Sequence, residues 1–222
     1  MQALLDNRDA VLSAFLLIIK LTAVSGLFAL VIGTLLAAMR VSPVPVLRVF
    51  GTGYVNVFRN TPLTLVIFFC YFGLFTNLGV RISDDLNRNN YWLSVIGLSV
   101  YTASFVCEAL RAGIQTIPVG QAEAARSIGL TFGQNLRLII LPQALRSVIT
   151  PLASVLIALT KNATIAGTIG VAETASTMRD LINDNGDQVI AIFLGFALGF
   201  LVLTLPTGYF FGWLARKVAV LR

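Results

Sequence analysis

The sequence predicts an all-α integral membrane protein with five transmembrane helices. Of its 222 residues, 57% are hydrophobic and 12% are charged, whereas soluble domains are close to a quarter charged. The mean hydropathy is +0.86. A bilayer core about 30 Å thick needs roughly 20 apolar helical residues to span it, and apolar stretches of that length recur along the chain. We therefore expect a single transmembrane domain over residues 1–222, without an attached soluble enzyme domain.

The composition also argues against several classes of site. The net charge is +6, but the Lys and Arg residues are scattered among apolar stretches and form no basic stripe of the kind that binds nucleic acid. In membrane proteins such an excess usually marks topology. The sequence contains no histidine, which argues against His-ligated metal or haem sites, and we expect no metal and no cofactor. Cys70 and Cys107 lie inside apolar stretches and are interpreted as inert packing residues.

Five apolar segments are long enough to cross the membrane. In chain order they are residues 10–39, 54–78, 91–117, 148–172 and 189–214. The first is too long for one straight span, so its opening turns are expected at the interface, with Lys20 close enough to a boundary to snorkel. A basic connection with two prolines, residues 40–48, follows it. Pro62 marks a kink or a late helix start in the second span.

The charges of the connections predict the orientation. Arg and Lys are in excess after the first span, after the third span and in the C-terminal tail, whereas the other flanks are neutral or acidic. Because cytoplasmic connections carry the excess of Lys and Arg, we expect the N-terminus outside the cell membrane and the C-terminus inside. The connection of residues 118–145 is then cytoplasmic. Five spans without an internal repeat also predict that the chain is one half, or less, of a transport assembly.

This long connection contains the sequence EAARSIGLTFGQNLRLIILP, residues 123–142. Its first part is rich in good helix formers, with Pro118 suited to the region of a helix start and Gly129 to its end. Glu123 and Arg126 are three residues apart, so they share a helix face or pair across one turn. Such an alanine-rich helix is either an amphipathic connector on the membrane surface or a smooth surface that fits a groove on another protein.

The spacing within this stretch matches a known family motif. It resembles the EAA loop of permease subunits of binding-protein-dependent ABC importers, with the matching residues Glu123, Ala124, Ala125, Gly129, Ile139, Leu141 and Pro142. Other stretches, such as RNTPLTLV, LIALTKNATIA and LTLPTG, are similar to the permeases of actinobacterial glutamate uptake systems. The sequence departs from the wider polar amino acid permeases at Asn60, where Gly is common, and at Asn162, where Asp is frequent.

The resemblance implies a fold and a function. It implies the type I ABC importer permease fold, with a cytoplasmic coupling helix between spans three and four that docks on a separate ATPase. The residues carried over to this coupling role are Gly120, Glu123, Ala124, Ala125 and Gly129. The implied partners are a dimer of ATPase subunits, a second permease subunit that is either identical or related, an extracytoplasmic solute-binding protein and a polar amino acid. Glutamate is the expected substrate, and another polar amino acid is the alternative.

Polar residues within the spans are candidates for the transport path. Lys161 lies deep in the fourth span beside Asn162 and near Thr164, and a lysine at a helix centre costs about 2.5–3.5 kcal/mol on insertion scales. Lys161 therefore either lines the path or pairs with a carboxylate elsewhere. The third alternative is a position nearer the membrane boundary than the residue count along the span suggests. Arg59 and Asn60, at the start of the second span, either cap helix ends or line the inner mouth.

One charged pair is predicted within the third span. Glu108 and Arg111 are three residues apart near its inner end. This spacing allows them to satisfy each other on one helix face, so an internal ion pair is favoured over a contact with substrate.

Two other classes of function remain as alternatives. An integral membrane enzyme needs clustered polar side chains, but the sequence offers no histidine and no nucleophile elbow. A self-contained secondary carrier fits poorly with the odd number of spans. The chain also lacks a P-loop, so ATP hydrolysis would belong to a partner. Copurification with an ATPase, against transport by the isolated chain, separates these possibilities.

Overall fold

The computed structural model describes residues 2–218, and within them the regular secondary structure is helical throughout. The α-helices are α1 Gln2–Asp6, α2 Arg8–Val41, α3 Pro45–Asn60, α4 Leu63–Phe68, α5 Leu86–Gln115, α6 Val119–Ser127, α7 Phe132–Asn135, α8 Leu141–Ser147, α9 Ile149–Asn162, α10 Thr174–Asp184 and α11 Val189–Val218. Three of them continue into other helix types: α4 into the π-helix Phe69–Asn77, α7 into the π-helix Leu136–Ile140 and α9 into the 3₁₀-helix Ala163–Ile169. The predicted all-α class is confirmed.

The number of candidate spans agrees with the prediction. Four helical segments are long and apolar enough to cross a membrane: α2, α5, α9 with its 3₁₀ continuation, and α11. A fifth candidate is the pair formed by α3 and by α4 with its π-helix, which bends by 104° at a short break. Counted as one broken span, this pair brings the candidates within the described residues to five.

The break within this second span corrects the predicted boundaries. The sequence-based span began near residue 54, but Tyr54 lies inside α3, which already starts at Pro45 in the stretch predicted to be a basic connection. The helix ends at Thr61, which is extended, and α4 begins after Pro62. Proline lacks a backbone N–H and disfavours the helical conformation of the residue before it. The effect of Pro62 is therefore a complete break.

Helix α5 lies at the centre of the fold and packs most closely against α2. The closest approach is at Gly33, where a Cβ atom would lie 2.6 Å from Val106 Cβ and 2.8 Å from the Ala103 carbonyl oxygen. Near this contact the Ser99 hydroxyl, which donates to the Val95 carbonyl of its own helix at 2.5 Å, also lies 3.3 Å from the Ser25 carbonyl of α2. Small residues at helix interfaces allow this approach, because membrane helices gain stability from van der Waals contact and not from hydrophobic burial against lipid.

The exposed apolar side chains are consistent with a lipid-facing periphery. Large hydrophobic residues of α2 and α11 point outward, among them Leu27, Leu35, Ile190, Val202 and Phe210. In water such a surface would be an aggregation hazard, whereas lipid covers it without cost. The central α5 instead buries Leu93, Leu98, Ala103 and Cys107.

The packing at Gly33 gives a first prediction. Gly33→Ala should lower the thermal unfolding temperature of the purified protein, because the added methyl group would meet a Cβ atom and a backbone oxygen, and overpacking typically costs about 1–3 kcal/mol. The matched control is Gly212→Ala in α11, where a Cβ atom would meet nothing within 4 Å and alanine favours the helix. Equal unfolding temperatures for both variants would refute the role given to this contact.

Candidate functional site

The connection between α5 and α9 contains the short helix that the sequence predicts. Helix α6 starts directly after Pro118 and ends at Ser127. Gly129 has a φ of +86°, the left-handed region that glycine adopts without a steric penalty. The Gly129 N–H donates to the Arg126 carbonyl at 3.0 Å and the Leu130 N–H donates to the Ala125 carbonyl at 3.1 Å. These two bonds form a Schellman motif, so the predicted helix end at Gly129 is confirmed.

Helix α6 presents a low surface with a free carboxylate. Glu123 and Ala124 are exposed, and Ala125 is buried beneath them. Within the described part of the chain no ion pair joins Glu123 to Arg126. At Gly120 a Cβ atom would meet nothing within 4 Å. The helix therefore exposes Ala124 and Glu123 side by side, and the Glu123 carboxylate makes no ion pair with the described residues.

A hydrogen bond joins α6 to the second part of the connection, residues 132–147, which is called the returning limb below. The Gln143 side-chain amide donates to Gln121 Oε1 at 2.7 Å and to the Ile139 carbonyl at 2.9 Å. Farther along α8, the Ser147 hydroxyl lies between two carbonyl acceptors, that of Ala144 at 2.9 Å and that of Gly113 at 3.2 Å. No sequence pattern indicates the glutamine contact, because the two residues are 22 positions apart. These contacts link α6, through α8, to the end of α5.

At the end of α5 the backbone approaches the returning limb very closely. A Cβ atom at Gly113 would overlap the Val148 side chain and lie 3.0 Å from the Ser147 hydroxyl. The glycine therefore lets α8 lie directly against α5. A displacement of α6 would therefore reach α5 through the direct packing of α8 at Gly113.

A groove between α5 and α9 has one of the predicted path residues in its wall. This cavity has a volume of about 280 Å³ and is lined by Tyr101, Thr102, Phe105, Ser154, Val155, Ala158, Leu159 and Asn162. The predicted path residue among them is Asn162. The exposed lining is mostly apolar, and the Asn162 amide, a phenol and two hydroxyl groups are its few polar groups. Such groups can both donate and accept hydrogen bonds.

Lys161 and Thr164 lie beside the groove and are not in its wall. Lys161 is exposed in this chain, and among the residues that the structure describes no carboxylate pairs with it. The Thr164 hydroxyl donates to the Lys161 carbonyl at 2.8 Å. This bond lies where α9 tightens into the 3₁₀-helix, which ends at Gly170 with a φ of +84°.

Asn60 and Thr61 complete the end of α3. The Asn60 amide donates to the Asn56 carbonyl at 2.7 Å, and the Thr61 hydroxyl donates to the Val57 carbonyl at 2.8 Å. Both side chains therefore satisfy carbonyl groups of the last helical turn. Of the two alternatives for Asn60, this geometry favours capping.

Arg59 and the predicted ion pair come together in one cluster. Arg111 Nη2 lies 3.1 Å from Glu108 Oε2, so the predicted pair is confirmed. Arg59 Nη1 lies 3.6 Å from the same oxygen, and Arg40 Nη1 contacts Glu108 Oε1. Sequence spacing could not reveal Arg40 and Arg59, because they reach Glu108 from the ends of α2 and α3.

A buried carboxylate fixes the far end of the 3₁₀-helix. Glu173 is fully buried and caps α10, accepting from the backbone N–H groups of Ala175 at 2.7 Å and Ser176 at 2.9 Å. Burial raises the pKa of the Glu173 carboxyl, and these hydrogen bonds and the nearby Arg179 oppose the shift. Gly167 makes room for the carboxylate, since a Cβ atom there would overlap it. The sequence analysis treated Glu173 only as a loop charge.

Comparison with known proteins shows the family. Residues 29–220 match the sequence profile of the binding-protein-dependent transport system inner membrane component. The chain belongs to this family. It is therefore a transport component of the membrane and not an enzyme, as the sequence predicts.

Two relatives named as transport permeases match nearly the whole length of this chain. The glutamate transport system permease protein GluC of Corynebacterium glutamicum is 50% identical over 220 residues, which span 97% of this chain and 96% of the relative. The probable glutamine ABC transporter permease protein GlnM of Bacillus subtilis is 36% identical over 217 residues, covering 97% and 96%.

A solved structure shows the same fold. The chain of an amino acid ABC transporter crystallised with histidines superimposes with a TM-score of 0.87 at 26% identity, and the match covers 97% of both chains. The predicted ABC importer permease fold is confirmed by this likeness.

Proposed function

We propose that this permease imports glutamate as the membrane subunit of an ATP-driven transporter. The observation that carries the proposal is the 50% identity, along nearly its full length, to a permease named for glutamate transport. The relative named for glutamine is less similar, at 36% identity. Another polar amino acid is the alternative substrate.

The assembly that fits this function has five parts. Two ATPase subunits supply ATP hydrolysis, a second permease subunit completes the path, and an extracytoplasmic solute-binding protein delivers the amino acid. The second permease is either another copy of this chain or a related chain. The open groove between α5 and α9 supports this arrangement, because its wall includes the amide side chain of Asn162 and a polar side chain within a membrane is expected to face a protein partner or water.

The coupling role is assigned to α6, with Gly120, Glu123, Ala124 and Gly129 as its contact residues and the buried Ala125 supporting this face from beneath. Closure of the ATPases on ATP would move α6, and the Gln121–Gln143 hydrogen bond would carry this movement into α8. The close contact at Gly113 would pass it on to α5, whose side chains line the groove. The exposure of Glu123 and Ala124 supports this assignment.

The path role is assigned to residues on both sides of the groove. Asn162 contributes its amide to the wall. Lys161, exposed and without an ion-pair partner among the described residues, would face the path in the assembled dimer, with Thr164 holding the local turn. Arg59 would lie at the cytoplasmic mouth, where it borders the groove residue Phe105, and the neighbouring Asn60 would act there by capping the end of α3.

The substrate is tested by transport. The complex of this permease with its ATPase and binding protein, reconstituted into liposomes containing ATP, should take up radiolabelled glutamate only when ATP is hydrolysed. Unlabelled glutamate should compete strongly and unlabelled glutamine weakly. Uptake of glutamine without uptake of glutamate would overturn the assignment of the substrate while leaving the family intact.

The orientation is a second prediction. A cysteine replacing Asn87, which is exposed in the first turn of α5, should react with an impermeant thiol reagent added outside intact cells. A cysteine replacing Gln134 in the coupling connection should react only after the membrane is opened. The native Cys70 and Cys107 are buried, so the unmodified protein serves as the background control. Labelling of the Gln134 variant from outside would contradict an extracellular N-terminus and a cytoplasmic α6.

Coupling is tested at Glu123 and Gly129. Glu123→Lys should abolish receptor-stimulated ATP hydrolysis, because it reverses the charge at the docked face. Gly129→Asp should do the same, because a side chain at a φ of +86° strains the helix end by about 1–3 kcal/mol. Gly133→Asp is the control, since a Cβ atom at Gly133 is unhindered and its φ is ordinary. Wild-type stimulation and uptake in the first two variants would make α6 a passive connector.

The path role of Lys161 is tested by substitution with alanine. Lys161→Ala should reduce glutamate uptake at least tenfold, because a cation facing the path is lost, while the ATPase complex stays assembled. Lys20→Ala removes the other lysine within a predicted span and should leave uptake unchanged. Equal uptake by wild type and the Lys161 variant at equal amounts in the membrane would remove Lys161 from the path.

A further inference from the structure

Three arginines from three helices surround one carboxylate. Arg40 lies in the last turn of α2, Arg59 in the last turn of α3 and Arg111 on α5, and all three contact Glu108. Their charges are +3 in total against −1, so the cluster has a net charge of +2. Between Asp85 and Glu123 the sequence contains no acidic residue other than Glu108. The charge excess is therefore a property of this part of the chain.

The cluster continues the wall of the groove. Tyr101, Phe105 and Glu108 follow one another along α5 at intervals of four and three residues, which places them on one helix face. The first two line the groove. The Arg59 guanidinium carbon lies 5.9 Å from the centre of the Phe105 ring, so a cation stands directly beside the groove wall.

Part of the cluster retains unused binding capacity. Arg59 is the most exposed of the three arginines, with 46% of its side chain accessible. Arg111 Nε is buried without a hydrogen-bond partner among the described residues. Glu108 offers only two oxygens to three guanidinium groups, each of which is a planar fork suited to binding a carboxylate through two parallel hydrogen bonds. Arg111 Nε is out of reach of a solute, so a second carboxylate would bind at Arg59, the exposed member of the cluster.

We propose that this arginine cluster is the charge-selective element of the groove, and that Arg59 binds the side-chain carboxylate of an acidic amino acid as it passes. The proposal rests on the proposed function, since it takes the groove as the path. Glu108 acts as a positioning residue, because it holds three mutually repelling guanidinium groups at the groove wall. Arg40, only 12% exposed, anchors the carboxylate, and Arg59 faces the solute.

Glutamate and glutamine are the probes, because they have nearly the same shape and differ by one charge. Binding of each radiolabelled amino acid is measured by equilibrium dialysis on the purified complex of permease and ATPase, without the binding protein, so that the receptor cannot set the specificity. The wild-type complex should bind glutamate at least tenfold more tightly than glutamine. Arg59→Gln should weaken glutamate binding about tenfold and leave glutamine binding unchanged, and Arg59→Lys should restore most of the preference.

The matched control is Arg48→Gln. Arg48 lies on the same helix α3, but its guanidinium contacts the Ser42 carbonyl at 3.4 Å and makes no contact with Glu108. This variant should bind both amino acids as the wild type does. It also shows whether a change in overall basic charge alone alters binding.

Several outcomes would overturn the proposal. They are the absence of glutamate binding to the wild-type complex, an equal loss of both amino acids in Arg59→Gln, and a lower unfolding temperature of that variant without a change in the preference for glutamate. The last result would make the cluster a structural network only. The uptake assay separates this proposal from the proposed function. If the wild type imports glutamate and Arg59→Gln still prefers glutamate over glutamine, the cluster is not the selective element, but the transport function stands.

Discussion

The close packing of α5 against α2 is the constraint on which the rest of the structure depends. At Gly33 the backbone of α2 comes so near that even a methyl group would meet Val106 and the Ala103 carbonyl. Within lipid there is little hydrophobic gain from joining two apolar helices, so dispersion contacts at short range have to hold them together. The result is a buried central helix whose position is fixed along its length. Its remaining faces are then available for the groove, the arginine cluster and the coupling connection.

Three functional features are distributed along this one helix. Tyr101 and Phe105 form part of the groove, Glu108 gathers the arginines one turn farther on, and Gly113 receives the returning limb of the α6 connection. A movement of α6 that reaches Gly113 therefore acts on the same rigid element that carries the groove wall. Under the proposed function, this arrangement would connect ATP hydrolysis on a partner with access to the groove.

The sequence predicted the elements that follow from local patterns. Apolar stretches gave the spans, Pro118 and Gly129 gave the bounds of α6, and a three-residue interval gave the Glu108–Arg111 pair, because propensity, φ preference and helical spacing are all local. The α3 helix was missed because its amphipathic pattern, broken at Pro62, was interpreted partly as a connection and partly as the start of a span.

Contacts between distant segments were beyond such reasoning. Arg40 and Arg59 reach Glu108 only because three helix ends converge, and Glu173 is buried only because Gly167 leaves space for its carboxylate. The same holds for the Gln121–Gln143 bond. Each of these contacts depends on tertiary packing, and no fixed spacing in the sequence indicates it. The roles of Lys161 and of the coupling residues remain predictions.

Docking of α6 on an ATPase can be measured by cross-linking from the helix itself. A photo-crosslinking amino acid placed at Ser127, which is exposed on α6, would be activated in membranes that contain the assembled transporter. The same group at Asn87, which is exposed in the first turn of α5, serves as the control. We expect the group at Ser127 to form a covalent product with the ATPase subunit and the group at Asn87 to form none. A transporter that is assembled and active, but gives no ATPase product from Ser127, would contradict the docking of α6.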